Sequence, residues 1–355
     1  MRKFRTWASA FAIALLLAAC GNGEFGGAES PEGVEDAAPD ENAAETAEDL
    51  DRDQVTIRMV TSFTHEAVEH AGFRRFQEIL EEEAPWIDLD YRGGPETIPS
   101  QQQGEAVADG AVDMATLPAN FYSAQIPLMH SLKLSTMTPA EERESGAFDV
   151  YQEHHDSAGM HYLGRMSAET PFRLFMNEPL DELDLSGLDI RVSPVYVQVV
   201  QGLGGTPTRM DPGDVYTALE RGVVDGYGWA GVGLTVHGWQ DVTEYEVDID
   251  FYQMDMVAIV NQEFWDGLDE ETKDAISSAA LQAEEDVVGL YGELVEQEVE
   301  SRREAGIEPL QFTEQETAEF LEMAYERGWV EAVEFDADAE RLREVYGMPE
   351  QAQTN

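Results

Sequence analysis

The alternation of strand-like and helix-like patterns near residue 54 constrains the fold most strongly. Residues 54–60 alternate apolar and polar side chains as a strand does, His65–Glu83 repeats apolar residues at helical spacing, and Ile87–Tyr91 is again strand-like. A second helical pattern (Ser100–Asp109) and a third strand pattern (Val112–Thr116) follow. The order β-α-β-α-β predicts an α/β fold with a parallel sheet covered by helices.

The loops that follow these three strands are candidate binding loops, because sheets of this kind bind ligands beyond the carboxyl ends of their strands. Phe63 follows the first strand, Glu96 the second, and Asn120, Phe121 and Tyr122 the third. Each could equally belong to the core, which is the usual place for a single aromatic side chain. Their shared position at strand ends predicts that they line a ligand cleft.

Later patterns predict a second lobe and its connections to the first. Phe172–Met176 and Asp189–Val192 are strand-like. Asp250–Val260 resembles one long strand that crosses between the lobes, and it makes Tyr252 a further candidate wall residue. Asp269–Ala305 is a nearly unbroken helical pattern, long enough to span both lobes.

Cations are scarce, which makes their positions informative. The chain has 21 Lys and Arg against 73 Asp and Glu. Arg173 and Arg191 both lie on predicted strands between apolar neighbours, where a guanidinium requires an anion. One interpretation is a structural salt bridge with one of the many acids. The other is a bidentate clamp on a ligand carboxylate, for which the planar fork of arginine is well shaped.

The first fifty residues differ from the rest and predict export. Three cations precede an apolar run from Trp7 to Ala19, as in a secretory signal peptide over residues 1–19. Cys20, the one cysteine of the chain, follows this run directly, in a pattern that resembles the lipobox of bacterial lipoproteins. We expect Cys20 to carry lipid. Residues 20–53 lack large apolar side chains and are expected to form a disordered acidic tether.

The net charge of −52 disfavours nucleic acid and anionic headgroups as partners.

Sequence motifs for catalysis or metal binding are weak. The sequence contains no Gly-x-Ser-x-Gly elbow and no phosphate-binding loop. His65 and His70 are five residues apart, too far around a helix to share an ion. His154, His155 and the nearby His161 resemble a solvated helix end more than a metal site. We therefore expect no enzyme activity, no metal and no cofactor.

Three segments carry a family resemblance. They are DLSGLDIRVSP (184–194), LGGTP (203–207) and PGDVYTALERGVVDG (212–226). Together they closely resemble the solute-binding proteins of TRAP transporters, the C4-dicarboxylate-binding type. The resemblance extends more weakly over residues 54–345.

The resemblance implies two α/β lobes around a ligand cleft, joined by crossing strands and a long helix. Lobe I would comprise residues 54–170 and about 255–295, and lobe II residues 171–254 and about 296–345. The carboxylate-clamping arginine of the family falls on Arg191, and its second, more variable arginine on Arg173. Trp229 stands where many relatives carry a polar asparagine, which favours an apolar monocarboxylate over a C4-dicarboxylate or sialic acid.

The predicted function is capture of an organic acid outside the cytoplasm and its delivery to a TRAP membrane permease, with the receptor held at the outer face of the membrane, or in the periplasm, by lipid on Cys20. Two alternatives remain at this point. One is an ABC-type or metal-binding lipoprotein receptor that uses the histidines. The other is a secreted lipoprotein hydrolase, for which the sequence offers no activated nucleophile.

Overall fold

The structure, a computed structural model, describes residues 54–349. The predicted signal peptide, Cys20 and the tether lie outside the described residues. The described strands are β1 (Val55–Thr61), β2 (Ile87–Tyr91), β3 (Met114–Pro118), β4 (Met160–Arg165), β5 (Pro171–Met176), β6 (Asp189–Val192), β7 (Thr206–Arg209), β8 (Gly226–Ala230), β9 (Tyr245–Val247), β10 (Phe251–Gln253), β11 (Met256–Asn261) and β12 (Glu308–Leu310). The described α-helices are α1 (Ala71–Glu83), α2 (Gln103–Ala108), α3 (Pro139–Ser145), α4 (Ala147–Ser157), α5 (Val197–Gly202), α6 (Val215–Glu220), α7 (Gln262–Gly267), α8 (Glu270–Ala305), α9 (Glu314–Phe335) and α10 (Ala339–Tyr346).

The first sheet has the strand order β2-β1-β3-β11-β4. β1 is parallel to both β2 and β3, as the β-α-β-α-β pattern predicts. β11 is antiparallel to β3 and β4, so a strand from late in the chain closes this sheet. Apolar side chains of β1 and α1, among them Ile57, Met59, Phe73 and Phe76, are fully buried against α8 and form one core.

The second sheet has the strand order β12-β9-β5-β8-β6-β7, with β10 paired to β5. Its central strand β8 is buried at every position and runs parallel to β6 and antiparallel to β5. The predicted α/β class with two lobes is confirmed by these two sheets and by their covering helices.

Two crossing segments connect the sheets. The chain leaves the first sheet after β4 and enters the second at β5, and it returns between β10 and β11. The predicted crossing is present, but its single strand over Asp250–Val260 is wrong, because two strands in different sheets flank a break at Met254 and Asp255. The crossings are bonded together, since the Ser167 hydroxyl donates to the Met254 carbonyl (2.7 Å) and accepts from the Met256 N–H (3.1 Å).

Helix α8 is a third connection and has the predicted length. Asp269 caps its start, and Gly306, with φ 90°, ends it in the left-handed conformation that glycine tolerates. Its first half packs along α1, where Arg75 donates to Asp286 (2.7 Å). Near its end Arg302 donates to the Gly231 carbonyl, which follows β8 of the second sheet (2.9 Å). The helix therefore spans both lobes.

Candidate functional site

A cavity of about 460 Å³ lies between the two sheets, within the size range of small-molecule sites. Phe63, Asn120 and Phe121 reach it from the loops after β1 and β3 of the first sheet. Arg191 on β6 and Trp229 on β8 reach it from the second sheet. The structure therefore brings together five of the side chains that the sequence predicts for the site.

Two cations, Arg191 and Arg209, line this cavity. Arg191 is the buried one, with only 1% of it exposed. Its Nε and Nη2 donate to the Met210 carbonyl (3.1 and 2.9 Å), and its Nη1 donates to the Gly228 carbonyl (3.3 Å). These bonds use three of the five N–H groups of a guanidinium and hold its plane in place. Two N–H groups remain for a ligand.

The charge of Arg191 is not neutralised by the protein nearby. Among residues 54–349, no carboxylate forms an ion pair with it within 4.0 Å. Burial lowers its pKa to about 10, and Tyr196, Asp211 and Tyr227 oppose this shift only in part. Its Cζ lies 5.3 Å from the centre of the Trp229 ring, within cation–π range. A buried guanidinium is costly unless an anion pairs with it.

Aromatic rings form the wall opposite this charge. Phe63 stands edge-on to Trp229 and tilted to Phe121, each with a centroid separation of 6.4 Å. Phe172 and Met256 add further apolar surface. The predicted apolar wall at position 229 is present, with 7% of Trp229 exposed.

Arg173, the second predicted clamp residue, is not in the cavity lining. Its guanidinium pairs with Asp250 (2.6 Å), Asp248 (3.2 Å) and Glu246 (3.5 Å). Three carboxylates already compensate this charge. Of the two interpretations that the sequence allows for Arg173, its position in the structure matches the structural salt bridge.

Three other predicted wall residues also lie outside the cavity lining. Glu96 is exposed on its loop, where its carboxylate accepts from the Gly94 N–H (2.7 Å). Tyr122 is buried and donates to His155 (2.9 Å), and Tyr252 donates to the Ala324 carbonyl (2.6 Å). Glu96, Tyr122 and Tyr252 lie near strand ends, as predicted. The hydroxyl or carboxylate of each, however, forms a hydrogen bond with another group of the protein.

Tyr196 and Asp255 are among the polar residues of the lining that the sequence analysis missed. Tyr196 follows β6 directly, so it also lies beyond a strand end. Asp255 is a single acid between Met254 and Met256 in an otherwise apolar crossing segment, which is the signal that could have identified it.

A second depression of about 750 Å³ adjoins this inner cavity. It shares Phe63, Gln101, Phe121, Asp211 and Pro212 with the inner cavity. The two depressions therefore meet between the first-sheet loops and the residues before α6.

The histidines do not assemble a persuasive metal site within residues 54–349. His154 lies with Asp336 and Asp338, but its Nδ1 faces one carboxylate (3.4 Å) and its Nε2 the other (3.0 Å). One imidazole binds an ion through one nitrogen, whereas here each ring nitrogen contacts a different carboxylate. His155, predicted at a solvated helix end, is in fact fully buried.

Comparison with known proteins identifies the family. The profile of the bacterial extracellular solute-binding proteins, family 7, matches residues 59–329. The chain belongs to this family. The match includes every residue that lines the inner cavity, from Phe63 to Met256.

Two curated relatives of this solute-binding protein match parts of it. The C4-dicarboxylate-binding periplasmic protein DctP of Rhodobacter capsulatus is 28% identical over 181 residues, 50% of each chain. A solute-binding protein of Chromohalobacter salexigens is 29% identical over 126 residues, 35% of this chain and 38% of the relative. The chain thus spans about half or less of the length of these relatives.

Solved structures of TRAP periplasmic solute-binding proteins share the fold over nearly their whole length. One from Desulfovibrio salexigens, with bound orotic acid, has a TM-score of 0.72 at 19% identity and covers 82% of this chain and 97% of its own. DctP6 of Bordetella pertussis, with pyroglutamic acid, has a TM-score of 0.72 at 16% identity and covers 82% of this chain and 99% of its own. The predicted resemblance to TRAP solute-binding proteins and the predicted two-lobed fold are confirmed.

One further observation bears on membrane association of this solute-binding protein. Over residues 54–349, none of the helices has both the length and the apolar character that crossing a bilayer requires.

Proposed function

We propose that this chain is the extracytoplasmic receptor of a TRAP transporter and that it captures an organic acid through Arg191. The observation that carries the proposal is a buried guanidinium on the cavity wall, with two free N–H groups and no anion paired to it. A carboxylate supplies the missing charge and accepts two parallel hydrogen bonds. Solved relatives hold orotic acid, pyroglutamic acid and galacturonate, which are all carboxylic acids.

The aromatic wall sets the proposed shape of the ligand. Trp229, Phe63 and Phe172 offer apolar surface next to the arginine, so the acid carries an apolar or aromatic body. The crossing segments act as the hinge, and closure of the lobes excludes water and is recognised by the membrane permease.

Substitution of Arg191 tests the clamp. Removing one member of a desolvated charge pair typically costs about 2–5 kcal/mol, which is roughly 30-fold to several-thousand-fold in Kd. Arg191→Lys should also weaken binding, because an ammonium does not reproduce the fork. Calorimetric titration would use acids that stabilise the wild type in a thermal-shift screen, beginning with orotate, pyroglutamate, galacturonate and 3-phenylpropanoate.

Arg173→Ala is the matched comparison, since it removes the other strand arginine from three carboxylates outside the cavity. We expect it to lower the melting temperature with little change in affinity. Near-normal affinity in a folded Arg191→Ala protein would remove Arg191 from the site and would leave the proposed function without its support.

We further propose that Cys20 anchors the receptor and that residues 20–53 form its tether. The position of this lone cysteine after an export-type signal and the extracellular family both support the proposal. Metabolic labelling with a radioactive fatty acid in a bacterial host should mark the wild type, while Cys20→Ser should remain unlabelled and still bind ligand. Equal labelling of both proteins would contradict the anchor.

A further inference from the structure

The charges around the inner cavity are unequal, and this restricts what the ligand carries besides its carboxylate. The lining contains two cations, Arg191 and Arg209, and four acids, Glu69, Asp211, Asp214 and Asp255. A second carboxylate on the ligand would enter a site with an excess of negative charge, where like charges repel. A dianion is therefore a poor fit to this cavity.

Asp255 and Glu69 are the buried acids of this set, and Asp255 is the more buried, with 1% of it exposed. Its Oδ2 is buried and has no hydrogen-bond partner among residues 54–349. Lys133, the cation with the largest influence on Asp255, is paired with Glu331 instead (2.9 Å). Burial raises the Asp255 pKa to about 6, against the opposing influence of Lys133 and of a hydrogen bond from Asn120. The group is thus mostly ionised at neutral pH and has an open acceptor.

Four more polar atoms of the same lining share this condition. Asn120 Oδ1, the Tyr196 hydroxyl, Glu69 Oε2 and Trp229 Nε1 are buried without a hydrogen-bond partner in the described part of the chain. Buried polar groups that lack a partner are destabilising until a ligand satisfies them. Burial raises the pKa of Tyr196, and both Arg191, which lowers it, and Asp255, which raises it further, act on this hydroxyl.

We propose that the ligand is a zwitterion, whose carboxylate pairs with Arg191 and whose protonated nitrogen donates to Asp255 and Asn120. The same cavity lining carries the N–H donors of Arg191, the open acceptors of Asp255 and Asn120, the Tyr196 hydroxyl and an apolar wall. A cationic N–H is the donor that best offsets a buried carboxylate, because such bonds are stronger than those between neutral groups. This inference rests on the proposed function for the arginine end and adds the acidic end.

Matched ligand pairs that differ only at the nitrogen test the inference. L-proline is compared with cyclopentanecarboxylate, and L-phenylalanine with 3-phenylpropanoate, while succinate serves as the dianion. In calorimetric titrations of the full chain we expect at least one amino acid to bind on the order of tenfold or more tighter than its nitrogen-free partner and than succinate. Asp255→Asn should abolish that preference, whereas Asp88→Asn, the same change on an exposed strand position, should retain it.

Proton release at pH 6 gives a second readout that a merely structural role of Asp255 would not produce. A cation placed beside this carboxyl favours its ionised form, so titration in buffers of different ionisation enthalpy should show proton release with the amino acid. A bound dianion would instead cause uptake. The other groups that act on the Asp255 carboxyl are Lys133, Arg165 and the Asn120 side chain.

The two proposals fail in different ways. If plain monocarboxylates or succinate bind as tightly as the amino acids and Asp255→Asn changes nothing, the zwitterion is excluded, while a large loss in Arg191→Ala preserves the clamp. If Arg191→Ala binds normally, or if no carboxylate in the set binds, both proposals are overturned.

Discussion

At the scale of single residues, two buried histidines make the stability of this protein depend on pH. His155 donates from Nδ1 to the Tyr151 carbonyl (2.7 Å) and accepts the Tyr122 hydroxyl at Nε2 (2.9 Å), which fixes a neutral ring. His70 accepts the Phe63 N–H at Nε2 (3.1 Å), next to the cavity. Burial lowers the pKa of each to about 3.

We predict that these histidines lower stability as the pH falls from about 6.5 towards 3. Over that range the unfolded chain binds a proton at each histidine and the folded chain does not, so the free energy of unfolding rises with pH by up to about 1.4 kcal/mol per unit for each group. The buried Glu284, with a pKa raised to about 7 by burial, acts in the opposite direction. The pH dependence of the free energy of unfolding is therefore the contribution of the two histidines minus that of Glu284.

A variant isolates the histidine contribution. His155→Gln keeps a donor and an acceptor but does not titrate, so urea unfolding between pH 4 and pH 6 should lose about one proton of slope relative to the wild type. The same substitution at half-buried His65 serves as the control. An unchanged slope in His155→Gln would mean that the ring is protonated in the folded protein.

The residue scale also shows what the sequence could predict about the site. Scarcity of cations and family resemblance both indicated Arg191, strand-end position indicated Phe63, and family resemblance indicated Trp229. The same arguments applied to Arg173, and only the fold distinguishes the two arginines. The carboxylates on Arg173 come from positions 75 and 77 residues away, and no local pattern reports such a pairing.

At the scale of elements, periodicity predicted the regular segments well and the irregular ones poorly. β2, β6 and α8 lie within one residue of their predicted bounds, because each has a clear alternation or a long helical repeat. The predicted helix over His65–Glu83 begins only at Ala71, after a short 3-10 turn. The sequence analysis predicts no element between Thr116 and Phe172, although α3, α4 and β4 form there. β4 shows no alternation because all but one of its residues are buried.

Two residues at the crossing segments have an unusual backbone conformation, which the periodicity of the sequence does not predict. Glu169 lies in the first crossing and Tyr252 in β10 before the second, and both have positive φ (47° and 51°) although neither is glycine. Such conformations cost about 1–3 kcal/mol each and persist only where surrounding contacts hold them. Here the Tyr252 hydroxyl bonded to Ala324 supplies one such contact. Strain at both crossings is consistent with segments whose backbone changes when the lobes move.

At the scale of the whole molecule, charge is the dominant property. Most of the cations in the described part of the chain are already engaged, for example Arg58 with Asp113 and Arg143 with Glu284 (both 2.5 Å). The 73 acids exceed the 21 cations by 52, so most carboxylates have no basic partner to offset them. The folded chain holds these charges closer together than the unfolded chain does, which favours unfolding at low ionic strength.

We therefore predict that sodium chloride raises the melting temperature. The screening length falls from about 30 Å at 0.01 M salt to about 3 Å at 1 M, which removes repulsion between carboxylates across the surface. Salt also weakens exposed ion pairs, but these contribute little individually, and the buried pairs are screened much less. The measurement is a series of thermal melts over this salt range, with an equal series in sucrose to separate screening from solute exclusion. A rise in salt well beyond that in sucrose is the expected result. A flat or falling curve would mean that the ion pairs described above already compensate the excess of acid locally, despite the net charge.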